Sequence, residues 1–181
     1  QTAWPPTLGP PQADVALREA LAMGADEAYL LSDRAFGGSD TYATSTIIAA
    51  ALKKIGYDLV ITGRQAIDGD TAQVGPEIAE HMDLPHVTLA TAVEMADGKL
   101  HVTRDTDEGH DLVEVSLPAL VTVTKTTYDP RYPTIKSKMK SRKAVIPTYS
   151  AEEIGEVKKS KVHCIKYVEP PKKEAGIKIQ E

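Results

Sequence analysis

Apolar residues recur along this chain in two rhythms, one near 3.6 residues and one near 2, and the two alternate along most of its length. Residues 10–24 open on Pro10-Pro11, close at Gly24 and carry Val15, Leu17, Ala20 and Leu21 on or near one face, which predicts a helix. A strand over 28–32 follows, then the turn DRAFGGSD, then a helix over Thr41–Ile55 with Ile47, Ile48, Ala51, Leu52 and Ile55 at helical spacing and Gly56 as its stop. A strand over 59–62, a helix over 71–82 and a strand over 87–90 continue the alternation. Leu59, Val60 and Ile61 read as a strand covered on both faces. Pro76 either marks a late start of the third helix or bends its first turns.

Such alternation predicts an α/β fold, with a mostly parallel sheet and helices on both faces. The runs KLHVTRDT and DLVEVSLP flank Asp107-Glu108-Gly109-His110 and read as an antiparallel hairpin, with a last strand over 119–124. Beyond it Pro130, Pro133, Pro147, Pro170 and Pro171 break the chain into short pieces with little apolar periodicity. Residues 1–146 therefore read as the α/β domain and 147–181 as an extended C-terminal arm. Val157, Val162, Ile165, Tyr167 and Val168 would pack that arm on another subunit, the alternative being a loosely ordered tail. An α/β domain normally opens with a strand near the sheet centre, whereas this chain opens in the Pro-rich QTAWPPTLGPPQ, so a preceding strand is expected.

Composition narrows the function classes. The 181 residues can bury a substantial core, and with aromatics at only 5% that core must be aliphatic. A net charge of −5 argues against nucleic acid as the general partner. No apolar run approaches a membrane span and the start has no leader-like pattern, so a cytoplasmic protein is expected. Cys164 has no second Cys for a disulfide, and no His and Cys set has metal-site spacing, so no metal is expected. No Ser/His/Asp or Cys/His arrangement suggests nucleophilic catalysis, and no catalytic residue is assigned.

The richest segment is 58–76, DLVITGRQAIDGDTAQVGP, where a strand runs through a flexible turn into a helix. Gly63 and Gly69 are expected to supply backbone conformations that a Cβ penalises, leaving the N–H groups beyond Gly69 free to donate at a helix start. A phosphate suits that position, with Thr71 and Gln73 beside it. Asp68 and Asp70 would repel the anion and are assigned to the turn, to capping or to ribose contacts. A Gly-rich turn between strand and helix serves equally well as a plain connection. The loop 33–45, DRAFGGSDTYATS, is a second candidate, since Ser39 or Asp40 as N-cap brings Thr41, Thr44 and Ser45 to a helix start; the bland reading is a well-capped helix.

The run GRQAIDGDTAQVGP over 63–76 resembles the signature of electron transfer flavoprotein β subunits, with similarity from about Gly9 to Lys143 and a second family-like segment, YDPRYPTIKSKMKSRK, over 128–143. The resemblance implies a Rossmann-like nucleotide-binding fold that lacks its opening strand here. It also implies cofactor contacts from Thr41, Thr44, Gly63, Arg64, Gln65, Ala66, Asp68, Gly69, Asp70, Thr71, Ala72, Gln73 and Val74. DRAFGGSDTYATS is similar to the loop of family members that hold a full FAD. Members holding structural AMP tend to be more acidic near Gly69 and to place an Asn before the Gln. The implied protein is half of a heterodimer with an α subunit. In the electron-bifurcating branch FAD takes hydride from NADH and divides the electrons between ferredoxin or flavodoxin and the α-subunit FAD, which serves an acyl-CoA-type dehydrogenase.

Seven Lys or Arg lie between Lys125 and Lys143 against one acid, Asp129. Such a run is usually a solvated face. In the resembled family the matching loop docks on dehydrogenases through a Leu; Ile135 stands there here, with Arg131, Tyr132, Lys136 and Met139 around it. From another class, Gly37-Gly38-Ser39-Asp40-Thr41 is similar to the S-G-G-x-D-[ST] loop of ATP pyrophosphatases. Phe36 replaces that motif's first Ser, and the loop follows the wrong strand.

Overall fold

The computed structural model describes residues 2–125, 128–155, 157–166, 168–172 and 176. Two sheets carry the fold. Strands β1 (Pro6–Leu8), β2 (Tyr29–Leu31) and β8 (Thr148–Tyr149) form a parallel three-stranded sheet in the order β1-β2-β8. Strands β3 (Leu59–Gly63), β4 (His86–Ala96), β5 (Lys99–Thr106), β6 (Gly109–Val115) and β7 (Ala119–Val123) form the other, in the order β3-β7-β4-β5-β6. In this sheet β7 is parallel to both β3 and β4, while β4, β5 and β6 form an antiparallel meander that begins one strand before the hairpin seen in the sequence.

Helices α1 (Asp14–Met23), α2 (Thr41–Ile55), α3 (Val74–Met82), α4 (Ile135–Lys143) and α5 (Ala151–Ile154) are placed by their apolar faces and ends. α1 follows a short 3-10 turn over Pro11–Ala13 and stops at Gly24, which takes the left-handed conformation at φ 114°. Leu17 and Leu21 pack with Ala28 and Leu30 on one face of the small sheet, but Val15 points outward at 67% exposure. On the opposite face Ile47 and Ala51 of α2 meet Leu31, Phe36 and Ile154. The small sheet therefore has helices on both faces.

The five-stranded sheet does not. Ala49 and Leu52 of α2 and Ile78, Ala79 and Met82 of α3 pack against Val60 and Leu120 on one face, whereas the cluster on the other, around Val87, Val102, Ala119 and Val121, draws on strand residues and Leu117 alone among the described residues. This corrects the reading of the 59–62 strand as covered on both faces. β3 is an edge strand and Ile61, on the helix-free side, stays 59% exposed.

The tail departs further from expectation. α4 lies where little regular structure was expected, and only Ser141 of it is buried. Its start is held by reciprocal capping between Thr134 and Ser137. At its end the Arg18 guanidinium donates to the carbonyls of Ser141 (2.7 Å), Arg142 (3.1 Å) and Ala144 (3.1 Å) while pairing with Asp14 (2.7 Å). The arm expected from 147 onward begins inside the fold, because β8 pairs with β2 and Ile154 and Val157 enter the α2 cluster. Val162, Ile165 and Val168 are exposed, and Tyr167 lies outside the described residues.

Candidate functional site

The two candidate loops end at the first turns of α2 and α3, and those helices are bound to each other along their length. Ser45, wholly buried, donates to the Tyr42 carbonyl (2.8 Å) and lies 3.1 Å from His81 Nε2; the His81 ring stands edge-on to Tyr42. Gly75 brings α3 down on the sheet: a Cβ there would lie 2.8 Å from both Thr122 Cγ2 and Thr62 Oγ1. A glycine at the second position of a helix is otherwise unremarked in a sequence, which is why it escaped notice. Pro76 marks a late start, since α3 begins at Val74 and Pro76 falls in its first turn, where a missing N–H costs nothing.

Residues 63–73 are exposed throughout. The left-handed positions are not the expected ones. Neither Gly63 nor Gly69 has a positive φ, and a Cβ on either would meet nothing within 4 Å; Asp70 (φ 50°) and Ala72 (φ 54°) make the turn instead. Asp tolerates that region because its short polar side chain can bond locally, whereas Ala carries a strain of about 1–2 kcal/mol there. The free donors also begin later than expected. The Gly69 N–H donates to Asp68 Oδ1 (2.9 Å) and the Asp70 N–H to the Ala66 carbonyl (3.0 Å), while Gln65 Nε2 donates to Asp70 Oδ1. Among the described residues no hydrogen bond occupies the N–H groups of Thr71, Ala72 and Gln73, and the Arg64 side chain has no partner. Asp68 and Asp70 are thus engaged within the turn, and the open donors together with Arg64 could receive an anion.

Loop 33–40 is tied down at both ends by carboxylates, Asp33 with two backbone partners and Asp40 with three. Asp33 accepts from the Ala35 N–H through Oδ1 (2.9 Å) and from the Ala151 N–H through Oδ2 (3.0 Å). Asp40 caps α2 by accepting from the Ala43 N–H through Oδ1 (2.8 Å), and its Oδ2 accepts from the N–H groups of Lys161 (2.8 Å) and Val162 (3.1 Å). These backbone donors hold both carboxyl groups below the ordinary carboxylate range, Ala35 acting most strongly on Asp33 and Ala43 on Asp40. The Lys161 ammonium stands 4.3 Å from the centre of the Tyr42 ring. The C-terminal segment therefore crosses the start of α2.

Thr41 joins the two loops. Its hydroxyl lies 3.2 Å from Glu77 Oε1 and 3.3 Å from Gln73 Oε1. Thr44 is half-buried one turn further along α2, and Val74 packs against the α2-α3 core. Glu77 was not among the residues singled out in the sequence. A Glu in the first turn of a helix is too common to attract attention, and only the fold brings it to Thr41. The docking candidates lie elsewhere, on and before α4: Tyr132 (84% exposed), Ile135 (82%) and Met139 (56%) project outward, Lys136 is exposed, and the Arg131 guanidinium lies against Gly24, 3.2 Å from where a Cβ would stand. Concavities of about 360 Å³ beside Tyr29 and Pro147 and about 330 Å³ beside Lys53 and His81 are lined by neither candidate loop. Among the described residues no group of three or more His, Cys, Asp or Glu could hold a metal ion, and no helix is long and apolar enough to cross a membrane.

An α/β domain with two loop-to-helix turns meeting at one place is a common frame for binding nucleotides. Comparison with known proteins makes the class specific. Residues 7–154 match the model of the electron transfer flavoprotein domain, and the chain belongs to that family. It is 49% identical over 172 residues to the electron transfer flavoprotein subunit beta of Thermoanaerobacterium thermosaccharolyticum, covering 95% of this chain and 61% of that protein. It is 52% identical over 150 residues to the caffeyl-CoA reductase-Etf complex subunit CarD of Acetobacterium woodii (82% of this chain, 57% of that one). It is also 41% identical over 189 aligned positions to the acryloyl-CoA reductase electron transfer subunit gamma of Anaerotignum propionicum (96% and 70%). The chain thus spans about three fifths of the length of the first two.

Proposed function

We propose that this chain is the nucleotide-holding part of an electron transfer flavoprotein β subunit, that it binds FAD between loops 33–45 and 63–74, and that it works in the cytoplasm as a heterodimer with an α subunit. The observation that carries the reading is the meeting of the two loops at Thr41, Gln73 and Glu77, in a chain about half identical to a subunit of a caffeyl-CoA reductase-Etf complex. The residues fit a dinucleotide better than a mononucleotide because there are two helix starts. At α3 the N–H groups of 71–73 and Arg64 would take one phosphate; at α2 Thr41 and Thr44 would stand beside the other. Gly63, Gln65, Ala66, Asp68, Gly69, Asp70 and Val74 would shape the turn around them.

When bound, FAD supplies the redox chemistry, and the protein supplies binding, orientation and electrostatics. In the bifurcating form of this reading, electrons pass from NADH to ferredoxin or flavodoxin and, through the α-subunit FAD, to an acyl-CoA-type dehydrogenase. The presence of CoA-ester reductase complexes among the relatives supports it. Arg131, Tyr132, Ile135, Lys136 and Met139 would dock the dehydrogenase, Ile135 being an exposed aliphatic anchor on a helix whose far end Arg18 fixes. Ile135→Asp should leave flavin content unchanged and abolish transfer to the dehydrogenase; transfer at the normal rate would remove the docking assignment.

A second reading keeps the family and places structural AMP here, making the complex a simple carrier. Release and identification of the nucleotides from the full-length subunit purified with its α partner separates the two. Two FAD per heterodimer support the proposal, and one FAD plus one AMP overturns it in favour of the carrier. The pyrophosphatase reading lacks support, since Ser39 and Asp40 are both engaged within their own loop, Ser39 with the Phe36 carbonyl at 2.7 Å and Asp40 with the Ala43 N–H.

A further inference from the structure

Thr41 has one hydroxyl proton and faces two oxygens, Gln73 Oε1 at 3.3 Å and Glu77 Oε1 at 3.2 Å, so it can donate to only one of them. Glu77 Oε2 is enclosed and has no hydrogen-bond partner among the described residues. A carboxylate accepts and cannot donate, so the Thr41 proton is drawn to Glu77. The Thr41 oxygen is then left as an acceptor, which the Gln73 amide would satisfy by turning over from its recorded orientation to donate from Nε2. In that flipped orientation Nε2 takes the place that Oε1 holds 3.3 Å from Thr41, and Oε1 would face away from Thr41 on a residue that is exposed.

We propose that Glu77 is a positioning residue of the nucleotide site: through Thr41 it sets the direction of the Gln73 amide, so that the Gln73 carbonyl oxygen accepts from a hydroxyl of the bound nucleotide. This rests on the FAD reading above and adds to it. Glu77 touches no ligand itself. The backbone supports the same geometry, because the Glu77 N–H donates to the Gln73 carbonyl at 2.9 Å and so joins the two residues within one turn. The hydroxyl chemistry could come from the ribose or from the ribityl chain, and the two are distinguished by ligands that carry only one of them.

The test uses the full-length subunit assembled with its α partner, stripped of its own nucleotide and titrated with FAD, in a double-mutant cycle of Glu77→Leu and Gln73→Leu. Loss of one oriented hydrogen bond should weaken FAD binding roughly three- to tenfold in Glu77→Leu, with no further loss when Gln73→Leu is already present. A role in folding alone would lower the melting temperature and weaken binding in both backgrounds alike, and that additive result would overturn the inference. If Gln73→Leu by itself left FAD binding unchanged, the site reading would fall first. In the ligand arms, AMP binding weakened by Glu77→Leu with FMN binding unchanged assigns the hydroxyl to the ribose, and the reverse assigns it to the ribityl chain. Equal FAD binding in wild type and Glu77→Leu would overturn the proposal outright.

Discussion

The two loops that lead into α2 and α3 solve the same geometric problem with opposite means. Loop 33–40 is tied at both ends, with Asp33 and Asp40 each giving one oxygen to their own turn and the other to a backbone N–H more than a hundred residues away. Loop 63–73 is exposed, bonded mainly to itself, and keeps its N–H groups at 71–73 open. The first resembles a fixed wall and the second an open hand. In the proposed reading a site that admits a ligand and then holds it in register needs both, and Thr41, belonging to the tied side, meets Gln73 and Glu77 of the open side.

The comparison breaks most severely at Gly75, the contact that brings the open loop's helix down on the sheet. Gly75→Ala should cost about 1–3 kcal/mol by overpacking, because a Cβ would stand 2.8 Å from Thr122 and Thr62, and it should weaken FAD binding as well. Denaturant unfolding measures the first effect; unchanged stability would mean that α3 is not pressed on the sheet. Thr71→Val acts on the open loop alone, so FAD affinity should fall several-fold with the melting temperature unchanged.

On the tied side, Asp40→Ala should lower thermal stability and speed proteolysis around 158–166, since it removes the α2 cap and the anchor of the crossing segment together. The pH dependence follows from the same contacts. Asp33 and Asp40 have lowered folded-state values, so their contribution is fully present above the unfolded carboxylate value near 3.9 and is lost as pH falls through the lower folded values. Hydrogen exchange at Ala151, Lys161 and Val162, corrected for its intrinsic pH dependence, should therefore show constant protection from pH 7 to about 4 and release below that; release between pH 7 and 5 would refute the anchoring. The smallest effect is expected at Ala72. Ala72→Gly relieves the left-handed strain while loosening the unfolded chain, so stability should change little or rise, where Ala to Gly elsewhere commonly costs stability. A clear loss would place Ala72 outside that conformation.

The sequence made α2 legible because its caps, its apolar period and the glycine after it agree. α4 was not legible for the converse reason. Ile135 and Met139 face outward, so no apolar stripe forms, and the helix is held by its own capping residues and by Arg18 from α1. The edge position of β3 was hidden too, since Leu59, Val60 and Ile61 spell a covered strand while only the strand order reveals that no helix lies over Ile61. Within the site, the loop and its polar residues were visible as a motif. Which backbone positions are strained was not, because Asp70 and Ala72 take the left-handed turns that the neighbouring glycines advertise. Nor was Glu77, whose contact with Thr41 spans 36 residues.

The most direct test of the account is hydrogen exchange of the assembled heterodimer, stripped of the β-subunit nucleotide and then refilled with FAD. Protection should rise together at 71–75 and at 41–44, because one ligand meets both helix starts. Protection confined to one loop, or absent from both, would contradict the claim that they form a single site.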